Sequence, residues 1–229
     1  MFKGWNKWNY IFYIFSCVTL IAVTIIFRSS VLTLLASLIG LTSGMMNLKA
    51  NKLCFITYIV QAALYSYVSF TNKFYGEAIL AGLYLFPMYI YSAFKWIRKK
   101  TDDKDDSDPK VYKLEAKYYI WIAAAGVVIT GGYGYLLSVL NSSAPYLNSL
   151  GTFMCIAAAF LTAKRVKEQW YFWMGYSISL IIIWAGTLGT NMDQIALLIQ
   201  IVLYMGINLG GLLRWNKLYK ETNPSLTKQ

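Results

Sequence analysis

The chain has 229 residues, a net charge of +11, no histidine and a hydrophobic share of 58%, with a mean hydropathy of +0.47. The apolar share exceeds that of an ordinary soluble domain, and the missing histidine excludes a Ser-His-Asp triad, a histidine proton relay and most zinc sites. The positive charge would suggest nucleic acid in a soluble protein. In so apolar a chain it reads as topogenic charge facing an anionic lipid leaflet, with no nucleic-acid partner implied.

Eight apolar stretches follow one another: 10–27, 31–48, 53–70, 78–94, 118–140, 146–163, 170–190 and 194–213. Each is about 17 residues or longer, enough to cross a hydrocarbon core of ~30 Å as a helix. The first is not followed by a cleavage pattern such as A-x-A and is read as a retained helix, an extra N-terminal span within residues 1–28. Threading the eight stretches back and forth puts all but Arg28 and Lys73 of the 21 Lys and Arg residues on one side. That side is cytoplasmic by the positive-inside rule, and so are both termini. The reading is an all-α, multi-pass protein of the cell membrane, with the lipid bilayer as its first partner. Cys17, Cys54 and Cys155 fall in or beside apolar stretches without C-x-x-C spacing and are read as small buried hydrophobes.

The only long polar interval runs from Arg98 to Lys117 and includes T-D-D-K-D-D-S-D-P-K. It is read as a solvated linker. Its Asp cluster lacks the glycine and glutamate spacing of an EF-hand, and no metal or cofactor is implied. The linker separates two similar halves. N-L-K-A-N-K precedes a helix in the first and T-A-K-R-V-K in the second. A later helix ends at Trp96 in F-K-W and at Trp215 in L-R-W, with Pro87 and Gly206 each nine residues earlier. These are candidate helix interruptions, or hinges. The expected organisation is therefore 1+3+1+3: an N-terminal span (1–28), a three-helix repeat (29–97), linker plus connector helix (98–140), and a second repeat with its tail (141–229). A three-helix unit plus one connector makes four crossings, so the repeats run parallel, as in SWEET sugar transporters.

No charged side chain lies in the middle of any stretch; Glu77, Glu168 and Asp193 fall at helix ends, where water is expected to reach them. Proton-coupled carriers normally need ionisable groups at depth, and no G-x-x-x-x-G-K-[ST] motif offers ATP chemistry. Facilitated diffusion is the simplest mechanism. Aromatic stripes carry neutral polar groups: Tyr58, Gln61 and Tyr65; Tyr84, Met88 and Tyr91; Trp170, Trp173, Ser177 and Trp184; Gln200, Tyr204 and Asn208. Such residues can glue helices together or line a wet cavity. A cavity of π faces, amides and hydroxyls suits a flat, polar, even cationic small molecule such as a nucleoside or vitamin. A phosphorylated ligand fits poorly, for want of a buried Arg or Lys.

K-R-V-K-E-Q-W-Y-F-W at 164–173 resembles the basic run and E-[NQ]-W-x-x-W of the PnuC-type vitamin transporters, and N-K-L-C-F-I-T-Y-I-V-Q at 51–61 is similar to their first-repeat pattern N-[RK]-L-N-W-P-L-G-I-I-N. F-Y-G-E at 74–77 and the terminal Trp96 and Trp215 also fit. The likeness covers roughly 31–97 and 146–217. It implies a SWEET-like fold, a homotrimer, and facilitated uptake of nicotinamide riboside trapped by phosphorylation in the cytoplasm; relatives carry thiamine, riboflavin or deoxynucleosides. The chain departs from the pattern at Ser177, where the family often has asparagine or aspartate, at Gln61 in place of asparagine, at Tyr58 in place of glycine, and at Ala81 or Gly82 in place of an amide. The resemblance makes Trp173 the main stacking platform of a site between the repeats, faced by Tyr58, with Gln61, Ser177 and Gln200 reaching polar groups. Trp96 is expected at the membrane edge. Thiamine or deoxynucleoside uptake, and a non-transport receptor or assembly subunit, are the competing functions; an enzyme would need a dyad or metal set that the sequence lacks.

The charge division makes a topology prediction. In a cysteine-free background, cysteines at positions 72 and 142 should react with an impermeant reagent outside intact cells. A cysteine at 107 should not, and its labelling would reverse the orientation.

Overall fold

The computed structural model describes residues 5–28, 30–71, 75–98, 110–142, 144–186 and 193–223, with the side chains of Tyr75, Ile97, Arg98, Trp184 and residues 193–197 outside that description. It is helical, as the alternation of apolar stretches requires, because a lone helix satisfies its own backbone groups in hydrocarbon. Seven of the described spans are at least 18 residues long and apolar enough to cross a membrane. The other long apolar helix, α8 (Gln169–Ala185), has 17 residues.

The chain divides into two compact units, residues 1–109 and 110–229. The first holds α1 (Lys7–Ile26), α2 (Val31–Leu48), α3 (Cys54–Thr71), α4 (Tyr75–Ile79), a π-helical segment (Leu80–Leu85) and α5 (Phe86–Arg98). The second holds α6 (Ala116–Val139), α7 (Pro145–Ala163), α8 and α9 (Asp193–Thr222). Within each unit, each helix packs on its chain neighbours.

The expected single span 78–94 is a composite. Pro87 is the second residue of α5, directly after the π segment. Proline has no N–H and its ring crowds the carbonyl four residues back; a wider π turn takes up that misfit. The Ser66 hydroxyl supplies a donor to the Ala78 carbonyl at 2.9 Å. Gly206, expected to interrupt its helix likewise, lies inside the continuous 30-residue α9. Glycine weakens a helix but keeps its N–H, so the hydrogen-bond ladder runs on.

One turn is built twice. Between α2 and α3, Ala50 has φ 53°, and between α7 and α8, Arg165 has φ 58°. The next N–H bonds back in the same way: Asn51 N–H to the Met46 carbonyl and Val166 N–H to the Leu161 carbonyl, both at 3.0 Å. This left-handed C-cap closes the end of each preceding helix. Each turn then presents a buried aromatic to a tryptophan of a later helix, Trp96 near the end of α5 and Trp215 within α9, which runs on to Thr222 rather than ending at Trp215 as expected. Phe55 meets Trp96 edge-on at 4.9 Å, and Trp170 meets Trp215 edge-on at 6.0 Å. Trp96 is 3% exposed, so it is packed inside its unit. Its place is fixed by Phe55, which the turn swings inward.

The interval read as a solvated linker ends earlier than expected. Residues 99–109, with the Asp cluster, lie outside the described residues. Residues 110–115 form a packed strap on the second unit. The Tyr112 N–H donates to the Arg165 carbonyl at 2.9 Å, and the Lys167 N–H donates to the Tyr112 carbonyl at 3.0 Å. Leu114 joins Leu161 and Val166 in an apolar cluster, and Val111 is 1% exposed. Two apolar residues spaced three apart among lysines gave too short a pattern to register as a buried element. Glu168, expected in reach of water, is 4% exposed, because the strap covers it.

Trp170 fills the space that Gly211 leaves open. A Cβ at Gly211 would come within 2.5 Å of three atoms of the Trp170 ring, whereas one at Gly131 would meet nothing within 4 Å. Gly211→Ala should therefore cost about 1–3 kcal/mol, the usual range for overpacking, seen as a lower thermal midpoint in detergent. Gly131→Ala should leave the midpoint at or above wild type; equal midpoints for the two variants would refute the packing account.

Candidate functional site

The neutral polar groups of the second unit converge where the start of α8 meets the end of α7 and the middle of α9. Trp173 lies one turn into α8. Its indole N–H donates to Thr162 Oγ1 at 3.2 Å. The single proton of Thr162 is shared between the Ala158 carbonyl at 2.8 Å and Gln169 Oε1 at 2.5 Å. From α9, the Asn208 amide donates to the Trp173 carbonyl at 3.2 Å and to Ser177 Oγ at 3.0 Å. Thr162, Gln169, Ser177 and Asn208 are buried, while Trp173 is half-buried. The network fixes the indole by its N–H edge. A flat, electron-poor ring could stack on a face held in this way.

Other expected residues of this unit are placed differently. Trp170 is 1% exposed and locked between Gly211 and Trp215, so its ring belongs to the packing. Gln200 and Tyr204, one turn apart on α9, hydrogen-bond to each other. The Trp184 side chain lies outside the described residues.

The first unit builds a counterpart from aromatics. Tyr58 stacks on Tyr89 with centroids 4.7 Å apart and planes 16° from parallel. Gln61, Tyr84 and Met88 are half-buried, and the Met88 carbonyl accepts the Ser92 hydroxyl at 2.6 Å. Farther along, the Tyr65 hydroxyl donates to Glu77 Oε2 at 3.3 Å. A groove of about 610 Å³ lies between α3 and the α4–π segment, lined by residues including Tyr67, Phe70, Ile79 and Leu83. Gly82, named above as a departure from the family pattern, lines it, but none of the candidate site residues does. Ile79 and Leu83 are 59% and 77% exposed, so it is an apolar furrow open to the surroundings rather than a polar site.

Thr162, Gln169 and Tyr89 escaped the reading of stripes. Each was marked by the internal repeat: Thr162 and Gln169 flank the repeated turn, and Tyr89 stands seven residues before Trp96 as Asn208 does before Trp215. Trp173 and Tyr58 likewise follow the positive-φ residues Arg165 and Ala50 by eight positions.

Comparison with known proteins gives the chain's relatives. The family described as nicotinamide mononucleotide transporter matches residues 30–217. The chain is 27% identical over 225 residues to a nicotinamide riboside transporter PnuC of Neisseria mucosa, covering 96% of this chain and 85% of that protein. It is 27% identical over 166 residues to the nicotinamide riboside transporter PnuC of Haemophilus influenzae, covering 72% of this chain and 70% of that one. A crystal structure of the vitamin B3 transporter PnuC superposes with a TM-score of 0.81 at 26% identity, covering 96% of this chain and 94% of the other.

Thr162→Val keeps the side-chain shape and removes the acceptor of the Trp173 N–H. Leaving a buried donor unsatisfied costs about 1–3 kcal/mol. The variant should unfold correspondingly earlier in a denaturant series, and a wild-type midpoint would mean that the indole N–H does not depend on Thr162.

Proposed function

The chain belongs to the nicotinamide mononucleotide transporter family, and on that footing we propose that it imports nicotinamide riboside by facilitated diffusion, the product being trapped by phosphorylation in the cytoplasm. It is a membrane transporter and not an enzyme. The observation that carries the substrate reading is the half-buried Trp173 ring, held at its N–H by Thr162 and backed by Asn208 and Ser177. One face of such a ring can take the nicotinamide, whose positive charge strengthens the stack, and neutral hydroxyls and amides can meet a ribose without burying a charge.

The riboside is favoured over the mononucleotide by electrostatics. Among the described residues no Lys or Arg is buried, so nothing there would neutralise a phosphate brought into the membrane. No charged residue lies in the middle of any apolar stretch, which supports uniport, since coupled carriers rely on ionisable groups at depth. The charge division supports cytoplasmic termini. The twice-built turn, with its aromatic and its closing tryptophan, supports two parallel three-helix repeats flanked by α1 and α6, the 1+3+1+3 plan. A homotrimer belongs to the same reading, through the family resemblance.

Proteoliposomes should equilibrate nicotinamide riboside without a proton or sodium gradient. Trp173→Ala should weaken binding by at least about tenfold, which is about 1.4 kcal/mol and within the ~1–3 kcal/mol of one base–aromatic stack. Trp96 is a poor control because it is packed against Phe55; Trp121, 72% exposed on α6, is a suitable one, and Trp121→Ala should bind as wild type does. Unchanged binding by folded Trp173→Ala protein would move the site elsewhere. Gradient-driven accumulation in empty liposomes would replace uniport with coupling.

A further inference from the structure

Glu168 is the one buried charged residue among those described, and the transport reading gives it no task. It stands immediately before α8. Its Oε2 accepts the Leu114 backbone N–H at 3.0 Å, and its Oε1 accepts the Tyr119 hydroxyl at 3.4 Å. Leu114 belongs to the strap, and Tyr119 lies in the first turn of α6 beyond it. A carboxylate taken from water and given to one backbone donor and one phenol is costly unless those bonds matter.

The neighbouring residue shows what they hold. Successive side chains on a helix point about 100° apart, and residues 168 and 169 reach different partners. Glu168 reaches the strap. Gln169 reaches Thr162 on α7, whose oxygen takes the Trp173 N–H. The leading turn of α8 is thus tied on two sides, one turn before the indole. The strap is itself fixed by the Tyr112 bonds to residues 165 and 167 and by the Asn223 amide, which donates to the Val111 carbonyl at 3.5 Å. Apolar burial of Leu114 would keep the strap in place without a carboxylate. What Glu168 adds is a directional bond from the strap to the residue that leads into α8.

We propose that Glu168 is a positioning residue for substrate binding: through the Leu114 N–H it sets the first turn of α8, and with it the Gln169–Thr162–Trp173 network. This rests on the reading that Trp173 carries the substrate stack. Glu168→Gln can keep both contacts, its oxygen accepting from Leu114 and its amide donating to the Tyr119 oxygen. Glu168→Ala and Glu168→Leu remove the acceptor, and the leucine keeps most of the buried volume should the alanine variant fail to fold.

The test is nicotinamide riboside titrated calorimetrically into the full-length protein in detergent, with amide hydrogen exchange read at Leu114. Glu168→Gln should bind within about twofold of wild type and keep Leu114 protected. The Ala and Leu variants should bind about tenfold more weakly, a change of about 1.4 kcal/mol, with faster exchange at Leu114. Two results overturn the proposal: near wild-type binding by the Ala and Leu variants, or a Gln variant as weak as they are. Trp173→Ala, titrated alongside, judges the stacking site separately. If it binds normally the Trp173 reading fails, while the Gln-against-Ala comparison still reports whether Glu168 positions α8.

Discussion

One buried aromatic edge contact holds each unit at its basic end. Phe55 against Trp96 and Trp170 against Trp215 join the start of one helix to the C-terminal part of a later one, and both depend on a left-handed residue that turns the chain sharply enough to bring the aromatic inward. In hydrocarbon, helices gain little from apolar contact alone, since lipid tails are as apolar as leucine. Close packing must then supply what the hydrophobic effect does not. A tryptophan seated over a glycine, as Trp170 is over Gly211, provides contact area that lipid cannot match. The candidate site residues Trp173 and Tyr58 stand one turn beyond these locked aromatics, so their positions inherit the rigidity of the turn.

The second constraint is that polar groups at depth must find partners. The second unit meets it with a network of hydroxyls and amides around one indole, and the first with separate bonds such as Tyr65 to Glu77 and Ser66 to the Ala78 carbonyl, beside a stacked pair of tyrosines. The two solutions present different surfaces: an oriented indole with hydrogen-bonding neighbours, and a stack whose faces are already engaged with one another. That difference makes the second unit the better provider of specific contacts to a substrate, although the same turn precedes both.

The membrane spans, the internal likeness of the halves and the candidate tryptophan could all be read from the residues, because each rests on a long signal: apolar runs, charge asymmetry, or a motif that recurs. What escaped was short or tertiary. The strap at 110–115 offers two buried apolar residues, Val111 and Leu114, among lysines, and nothing local distinguishes it from a solvated linker. Glu168 reads as a charge at a helix end until the strap covers it. Trp170 reads as a ligand-facing aromatic, since a helical wheel cannot tell an indole packed over a neighbour from one turned to a cavity. Pro87 and Gly206 occupy matching positions, yet only proline removes a donor, and only there does the helix depart from α geometry among the described residues.

The π segment at Leu80–Leu85 gives the first unit a form of mechanical slack. A wide turn holds more residues per unit of length than an ordinary one, so converting it to α geometry would lengthen that strut and rotate everything beyond it, at the cost of re-pairing a few hydrogen bonds and of pressing the Pro87 ring against the carbonyl four residues back. Tyr84 lies inside the segment and Tyr89 beyond it, so such a change would turn them by different amounts. α9, continuous over 30 residues, has no such reserve. Of the two struts that carry a buried tryptophan, one is adjustable and the other is stiff, so a change in the π segment would be felt at the Phe55–Trp96 contact, while α9 offers no such adjustment at Trp215.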